Sequence, residues 1–164
     1  MKNELLFMEC QQVKALVAAG TDMNTAAITG ARVDFGKCDR IAVIVDMGAS
    51  VGATVQFTLK QHNAASGGTS KVLASANPYF KKVGAATYFT KVEQASAASL
   101  YDLSADFAAS AGLVVFEVLS EELDVDGGFT HFSVDVADSG AAKLIAAHYI
   151  CSNMRYCPAY DQVV

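Results

Sequence analysis

The chain has 164 residues, enough for a single domain to bury a core without disulfide or metal staples. It carries 12 basic and 17 acidic residues, a net charge of −5, and its longest basic run is Lys81-Lys82. The clustered Lys and Arg that displace counterions from phosphates are missing, so no nucleic-acid partner is expected. No apolar run approaches the ~20 residues needed to cross a bilayer, so no membrane partner is expected either.

The N-terminus, Met1-Lys2-Asn3-Glu4-Leu5-Leu6-Phe7, has one lysine, then an acid, then a broken apolar stretch. It makes a poor signal peptide, and synthesis in the cytoplasm is expected. Residues 1–20 fit both a helical stripe (Leu5, Met8, Val13, Leu16, Val17) and partial alternation. They are read as an extended arm or a first strand, with residues 1–30 as the span of the arm. Thr21 to Thr25 is a turn rich in side-chain oxygens.

Strand signals then recur. Arg32 to Phe35 is a short strand ended by Gly36 to Asp39. Arg40 to Met47 is nearly continuously apolar and β-branched, which predicts a strand buried on both faces in the middle of the fold. Gly48 to Gly52 is a loop. Thr54 to His62 alternates: Val55, Phe57 and Leu59 inward, Thr54, Gln56, Thr58, Lys60 and His62 outward. After a small-residue loop at 63–69 come short strand candidates at Lys71 to Leu73, Tyr79-Phe80, Tyr88 to Val92 and Leu100 to Leu103, with Pro78 placing its neighbourhood at an edge or a strand start. Ser104 to Ala109 reads as one or two helical turns, with Ser104 as the cap.

Leu113 to Leu119 is a strong strand with Val114, Phe116 and Val118 on one face. A polar, glycine-ended turn, Glu121 to Gly128, leads into His131 to Val136, where Phe132, Val134 and Val136 point one way and His131, Ser133 and Asp135 the other. Asp138 to Gly140 is a turn. Leu144 to Cys151 is the last strand, and residues 152–164 are a tail with Tyr156, Tyr160 and Val163 as anchors. Strands every eight to twelve residues, with no repeat or linker, predict one all-β, mainly antiparallel domain: a β-sandwich or a jelly-roll or barrel-like body with at most one or two short helices.

The candidate chemistry is thin. His131, Ser133 and Asp135 share a strand face, but alternate residues on a strand lie about 7 Å apart, too far for a relay between neighbours. They read as a solvated polar face. Asp124-Val125-Asp126-Gly127-Gly128, after Glu121 and Glu122, lacks the ligand spacing of a calcium loop, so its acids are read as solvating a turn. The loops at 48–52 and 66–70 match no phosphate-binding pattern. His62 and His148 have no ligand-spaced partner. Cys10, Cys38, Cys151 and Cys157 are spaced too widely for a zinc site and read as plain buried or semi-buried thiols. No catalytic, cofactor-binding or metal residue is assigned, and no enzymatic activity is expected. Tyr79, Phe80, Tyr88 and Phe89 are the densest aromatic group and the candidate contact for a receptor or glycan.

Charged residues make up 18% of the chain, below the roughly 25% of ordinary domains, and 28 residues are alanine. Low surface charge suits a surface covered by a partner. The order of blocks sharpens this. Asp22-Met23-Asn24-Thr25, then Cys38-Asp39-Arg40-Ile41-Ala42-Val43-Ile44-Val45, then Thr54 to Gln61, and finally Leu123 to Gly140 ahead of a last strand and Arg155-Tyr156, resemble small virion structural proteins of tailed bacteriophages and prophages, encoded with the head genes. The resemblance spans nearly the whole chain, with 38–45 and 123–140 its specific blocks, and is strongest to capsid decoration (cement) proteins. It implies a homo-oligomer, a trimer favoured, bound between major capsid subunits on the virion surface. A tail-associated or other virion-surface binding module is the alternative.

Overall fold

A computed structural model gives the protein's structure and describes residues 12–154. Among the described residues eleven strands form two antiparallel sheets, as the sequence pattern predicts, and neither sheet closes into a barrel. The larger sheet has the order β1 (Gln12–Asp22), β11 (Leu144–Met154), β3 (Cys38–Met47), β9 (Gly112–Leu119), β6 (Tyr79–Val83), β7 (Thr90–Val92). The smaller has β2 (Val33–Asp34), β10 (His131–Val136), β4 (Gln56–His62), β5 (Ser70–Val72), with β8 (Leu100–Asp102) on the same side of β4 as β5. One short helix, α1 (Ser104–Phe107), follows β8.

The alternating strands behave as their sequences dictate. Phe57 and Leu59 of β4, Val114, Phe116 and Val118 of β9, and Phe132, Val134 and Val136 of β10 are all buried, and the two sheets share one core. Two aromatic groups fill it. Phe116 meets Tyr101 at 4.9 Å and Phe57 at 5.6 Å between ring centroids, while Phe132 meets Phe35 and Tyr149 at 6.0 Å each. Tilted and edge-on pairs at these separations gain ring electrostatics beyond burial.

The N-terminal part is built into the sandwich from Gln12 onward. β1 pairs with β11 along its length, with register shifts between Ala15 and Val17 and between Val17 and Thr21. These bulges let the adjacent Leu16 and Val17 both point inward, which is why the sequence fits a helical stripe and a strand alternation only in part. At the other end β11 runs past Cys151 to Met154, so Ser152 to Met154 belong to the sheet and not to the expected tail; the part of the expected arm before Gln12, and the rest of the tail from Arg155, lie outside the described residues.

Two local expectations need correction. Ser104 does not cap α1. Its amide donates to Asp102 Oδ1 at 3.0 Å, and its own hydroxyl accepts from the Val55 amide at 2.9 Å, tying α1 to the start of β4. β3 is central but buried on one face only. Ile41, Val43, Val45 and Met47 fill the core, whereas Ala42 and Ile44 on the other face are only half-buried and Arg40 and Asp46 are exposed. The same outward face carries Leu113, Val115 and Glu117 of β9, Phe80 and Lys82 of β6, and Ala146, His148 and Ile150 of β11, placed side by side by the register. Neighbouring strands shield these side chains laterally, and the smaller sheet lies on the opposite side.

Candidate functional site

Two strands of the smaller sheet, β4 and β10, bring polar side chains to the sheet's outer face. The pairing of His131 with His62, Ser133 with Lys60 and Asp135 with Thr58 sets their positions. His131, Ser133 and Asp135 do not meet one another; each has its own partner. His131 Nδ1 lies 2.9 Å from the Thr130 hydroxyl, Asp135 pairs with Lys60 at 2.6 Å, and Ser133 bonds His62.

The solvated-face reading fails at Ser133 and His62. Ser133 is 0% exposed and His62 3% exposed, although both sit on the outward face. Segment 28–33 explains this. It runs along the edge of β10, held by the Ile28–Val136 bridge at one end and the Val33–Phe132 pair at the other, and holds one residue more than β10 between those points. The resulting bulge sends Arg32 across the face, where its guanidinium donates to Ala64 O at 2.8 Å, Gly67 O at 2.6 Å and, more weakly, the Ser70 hydroxyl at 3.4 Å. Beneath it, the His62 ring bridges two hydroxyls, Nδ1 to Ser70 at 2.6 Å and Nε2 to Ser133 at 2.8 Å. Burial first, then the Arg32 and Lys60 charges, hold His62 below the usual histidine range, with Asp135 opposing. No signal in the sequence ties Arg32 to His62, because the link depends on the bulge.

A neutral imidazole between two hydroxyls can in principle accept a proton from Ser70. It lacks, however, the carboxylate that orients and stabilises a catalytic imidazolium, and Arg32 beside it opposes the charge that general-base chemistry would create. What the arrangement does is fix the 63–69 loop and β5 to the sheet.

The bulge leaves its mark on the core side too. Val134 N–H, on the edge of β10 facing segment 28–33, donates to the Tyr149 hydroxyl at 3.0 Å. Tyr149 projects from the inner face of β11 and is 0% exposed, so it spans the sandwich to satisfy that amide. Gly30 packs so closely that an added Cβ would lie 2.1 Å from Val134 O.

The remaining candidates are also engaged locally. Asp124 accepts from Gly127 N–H at 2.9 Å and pairs with Lys71, whose ammonium lies 4.4 Å from the centre of the Phe129 ring. The acidic turn is thus fastened to β5. Among the described residues no group of three or more His, Cys, Asp or Glu side chains is arranged to hold a metal ion. Cys38 and Cys151 are free, buried and in contact; the hydrogen bond with Cys151 and burial push the Cys38 thiol up, so it stays protonated and is a weak nucleophile. Cys10 and Cys157 lie outside the described residues. His148 is exposed on the larger sheet.

One feature had no sequence signal at all. Lys143 is 1% exposed, and its ammonium donates to Gly48 O at 2.7 Å, Phe107 O at 2.8 Å and Ser110 O at 3.1 Å. Burial lowers its pKa. It joins the loop after β3, the end of α1 and the turn before β11. The aromatic group divides: Tyr79 packs against Tyr101 and Phe116 in the core, Phe80 is half-buried on the outer face of the larger sheet, and Phe89 and Tyr88 stand 47% and 82% exposed beyond the β6–β7 pair.

The fold and these contacts define an antiparallel two-sheet β-sandwich whose polar clusters act as internal fasteners. No protein-family model matches the chain, and no curated protein matches it. Among solved structures, the SPBc2 prophage-derived protein YomS aligns over 85% of this chain and 92% of its own, with a TM-score of 0.44 and 9% identity. The structure of infectious bursal disease virus Gx strain aligns over 89% of this chain and 38% of that chain, with a TM-score of 0.22 and 11% identity. No residue or role is carried over from either. No helix among the described residues is long and apolar enough to cross a membrane.

Proposed function

We propose that this chain is a non-enzymatic structural protein of a tailed-phage virion, a homo-oligomer that decorates and stabilises the capsid by binding between major capsid subunits. The carrying observation is the outward face of the six-stranded sheet. Ala42, Ile44, Leu113, Val115, Phe80 and Ile150 place half-buried apolar side chains there, interrupted by Glu117 beside Ala42 and by His148 beside Ile44, where an isolated sandwich presents mainly polar residues to water. Such a face fits a protein whose task is to be packed against others. The block resemblance at 38–45 and 123–140 supplies the phage assignment. The internal fasteners at Arg32, Lys71 and Lys143 give the body the stiffness that a clamp needs. The test is to mix purified protein with expanded shells assembled from a tailed-phage major capsid protein found in the same genome. Saturable co-sedimentation is expected, and protein left wholly in the supernatant would refute the reading.

A second reading rests on Tyr88 and Phe89. Two exposed aromatics at the end of a hairpin suit stacking on a sugar ring or a receptor. Retention on a glycan array that is lost in Tyr88→Ala would favour it, and an array without hits would dismiss it.

A further inference from the structure

We infer that the pocket at the Phe35 end of the sandwich is the docking site of the chain's own C-terminal segment, with the Tyr156 ring seated in it and the Arg155 guanidinium against the acids at its mouth. The inference goes beyond the structural reading above and does not depend on it.

Three observations lead there. The first is the pocket itself. It has a volume of about 270 Å³, and its apolar walls are Phe35, Leu123, Val125 and Phe129. Phe35, Leu123 and Phe129 are buried, but Val125 stands 62% exposed. The volume lies below the roughly 300–1,000 Å³ of a drug-sized site and suits one large side chain. A ring seated there would take apolar surface out of water. The second is where β11 ends. Its last residue, Met154, pairs with Cys38. Cys38 directly follows the short helical turn Phe35–Lys37, whose Phe35 and Gly36 line the pocket. The chain therefore leaves the sheet beside the turn that forms one wall. Two extended residues reach about 7 Å, more than the roughly 4.8 Å between neighbouring strands. Among the described residues Asn153 is the only non-glycine residue with a left-handed φ, 53°. That conformation, which Asn tolerates, turns the strand immediately before it ends.

The third is charge. Residues 120–129 hold four acids and no base. Glu122 accepts from the Leu119 amide and the Asn77 side chain, and Asp124 pairs with Lys71, which lies over Phe129. Glu121, which lines the pocket, and Asp126 are exposed, as is Lys37 on the neighbouring turn. The segment that follows Met154 opens Arg155-Tyr156, a cation and then an aromatic ring. That pair complements an apolar pocket with an acidic mouth. A tether this short keeps the ring at a high effective concentration, so a single side chain too weak to bind from solution is enough to fill the site.

The test is methyl NMR of the full chain. A Tyr156 ring in the pocket shifts the methyl signals of Leu123 and Val125. Tyr156→Ala is expected to remove that shift, while Tyr160→Ala and Val163→Ala leave it in place. The chain has no tryptophan, so Tyr156→Trp adds a single reporter. Its emission is expected to be quenched by acrylamide about fivefold less than that of Tyr160→Trp. Adding Val125→Glu, at an exposed position outside the core, is expected to erase that protection with the far-UV spectrum unchanged. Protection is expected to be equal from about 1 to 100 μM, because the occupant is tethered. Methyl signals indifferent to Tyr156→Ala, equal quenching at the two positions, or protection that survives Val125→Glu would overturn the inference. So would protection lost on dilution, which assigns the pocket to the segment of a second copy.

Discussion

Removing one oxygen from Tyr149 isolates the contact that joins the two sheets at the bulge. In Tyr149→Phe the ring stays, with its 6.0 Å edge-on contact to Phe132, and only the acceptor for Val134 N–H is lost. The 28–33 segment cannot move in to replace it, because Gly30 already approaches Val134 O as closely as a glycine permits. Water has no route to an amide facing a fully buried side chain. The full penalty of an orphaned buried donor therefore applies, about 1–3 kcal/mol. For a chain of this size, a 2 kcal/mol loss lowers the melting temperature by about 4–8 °C. Urea unfolding of wild type, Tyr149→Phe and Tyr149→Ala reads this directly. The alanine variant is expected to lose about 3–5 kcal/mol more, through the cavity it leaves. A Tyr149→Phe midpoint indistinguishable from wild type at equal slope would refute the reasoning, since it would mean that the amide finds another partner.

Other contacts give sharper or broader effects. Gly30→Ala drives a methyl into the β10 backbone and should cost about 3 kcal/mol, at the upper end of overpacking; a neutral outcome in thermal unfolding would show that the bulge is soft. Lys143→Met leaves three buried carbonyls without their charged donor and should cost about 2–3 kcal/mol, with faster amide exchange at 48–53 and in α1; unchanged exchange there would count against the fastener role. His62 has a folded pKa below its unfolded value near 6.5. The unfolded chain therefore binds the proton first, and stability should be full above about pH 6.5 and decline as pH falls toward the folded pKa. His62→Gln should remove that part of the decline in denaturation curves taken from pH 7.5 to 5, whereas an identical decline in the variant would assign it to other groups.

Much of the sandwich was legible because alternation is a direct record of one-sided burial. β4, β9 and β10 announce which side chains enter the core, and each did so. β3 misled in a useful way. Its two apolar faces were read as two buried faces, yet the chain itself covers only one, and the excess became the evidence for a contact surface. β1 was ambiguous because bulges place Leu16 and Val17 inward together, which no single period describes. The His62–Ser133 bridge was not legible. Both residues sit at outward positions of the pattern, and Arg32 is brought over them by a bulge far away in the chain from either. Lys143 was hidden for a similar reason: a lysine between loops reads as solvent-exposed until three carbonyls from two separate segments, the loop after β3 and the α1–β9 connection, are seen to converge on it.

The proposal that this molecule is packed into a virion shell is tested most directly by purifying any phage particles released from cells that carry its gene and labelling them with antibody against the chain. The account predicts regularly spaced label over the head and a copy number that scales with the capsid subunits. Particles that carry none of the chain, or that carry a few copies at the tail tip alone, would contradict it.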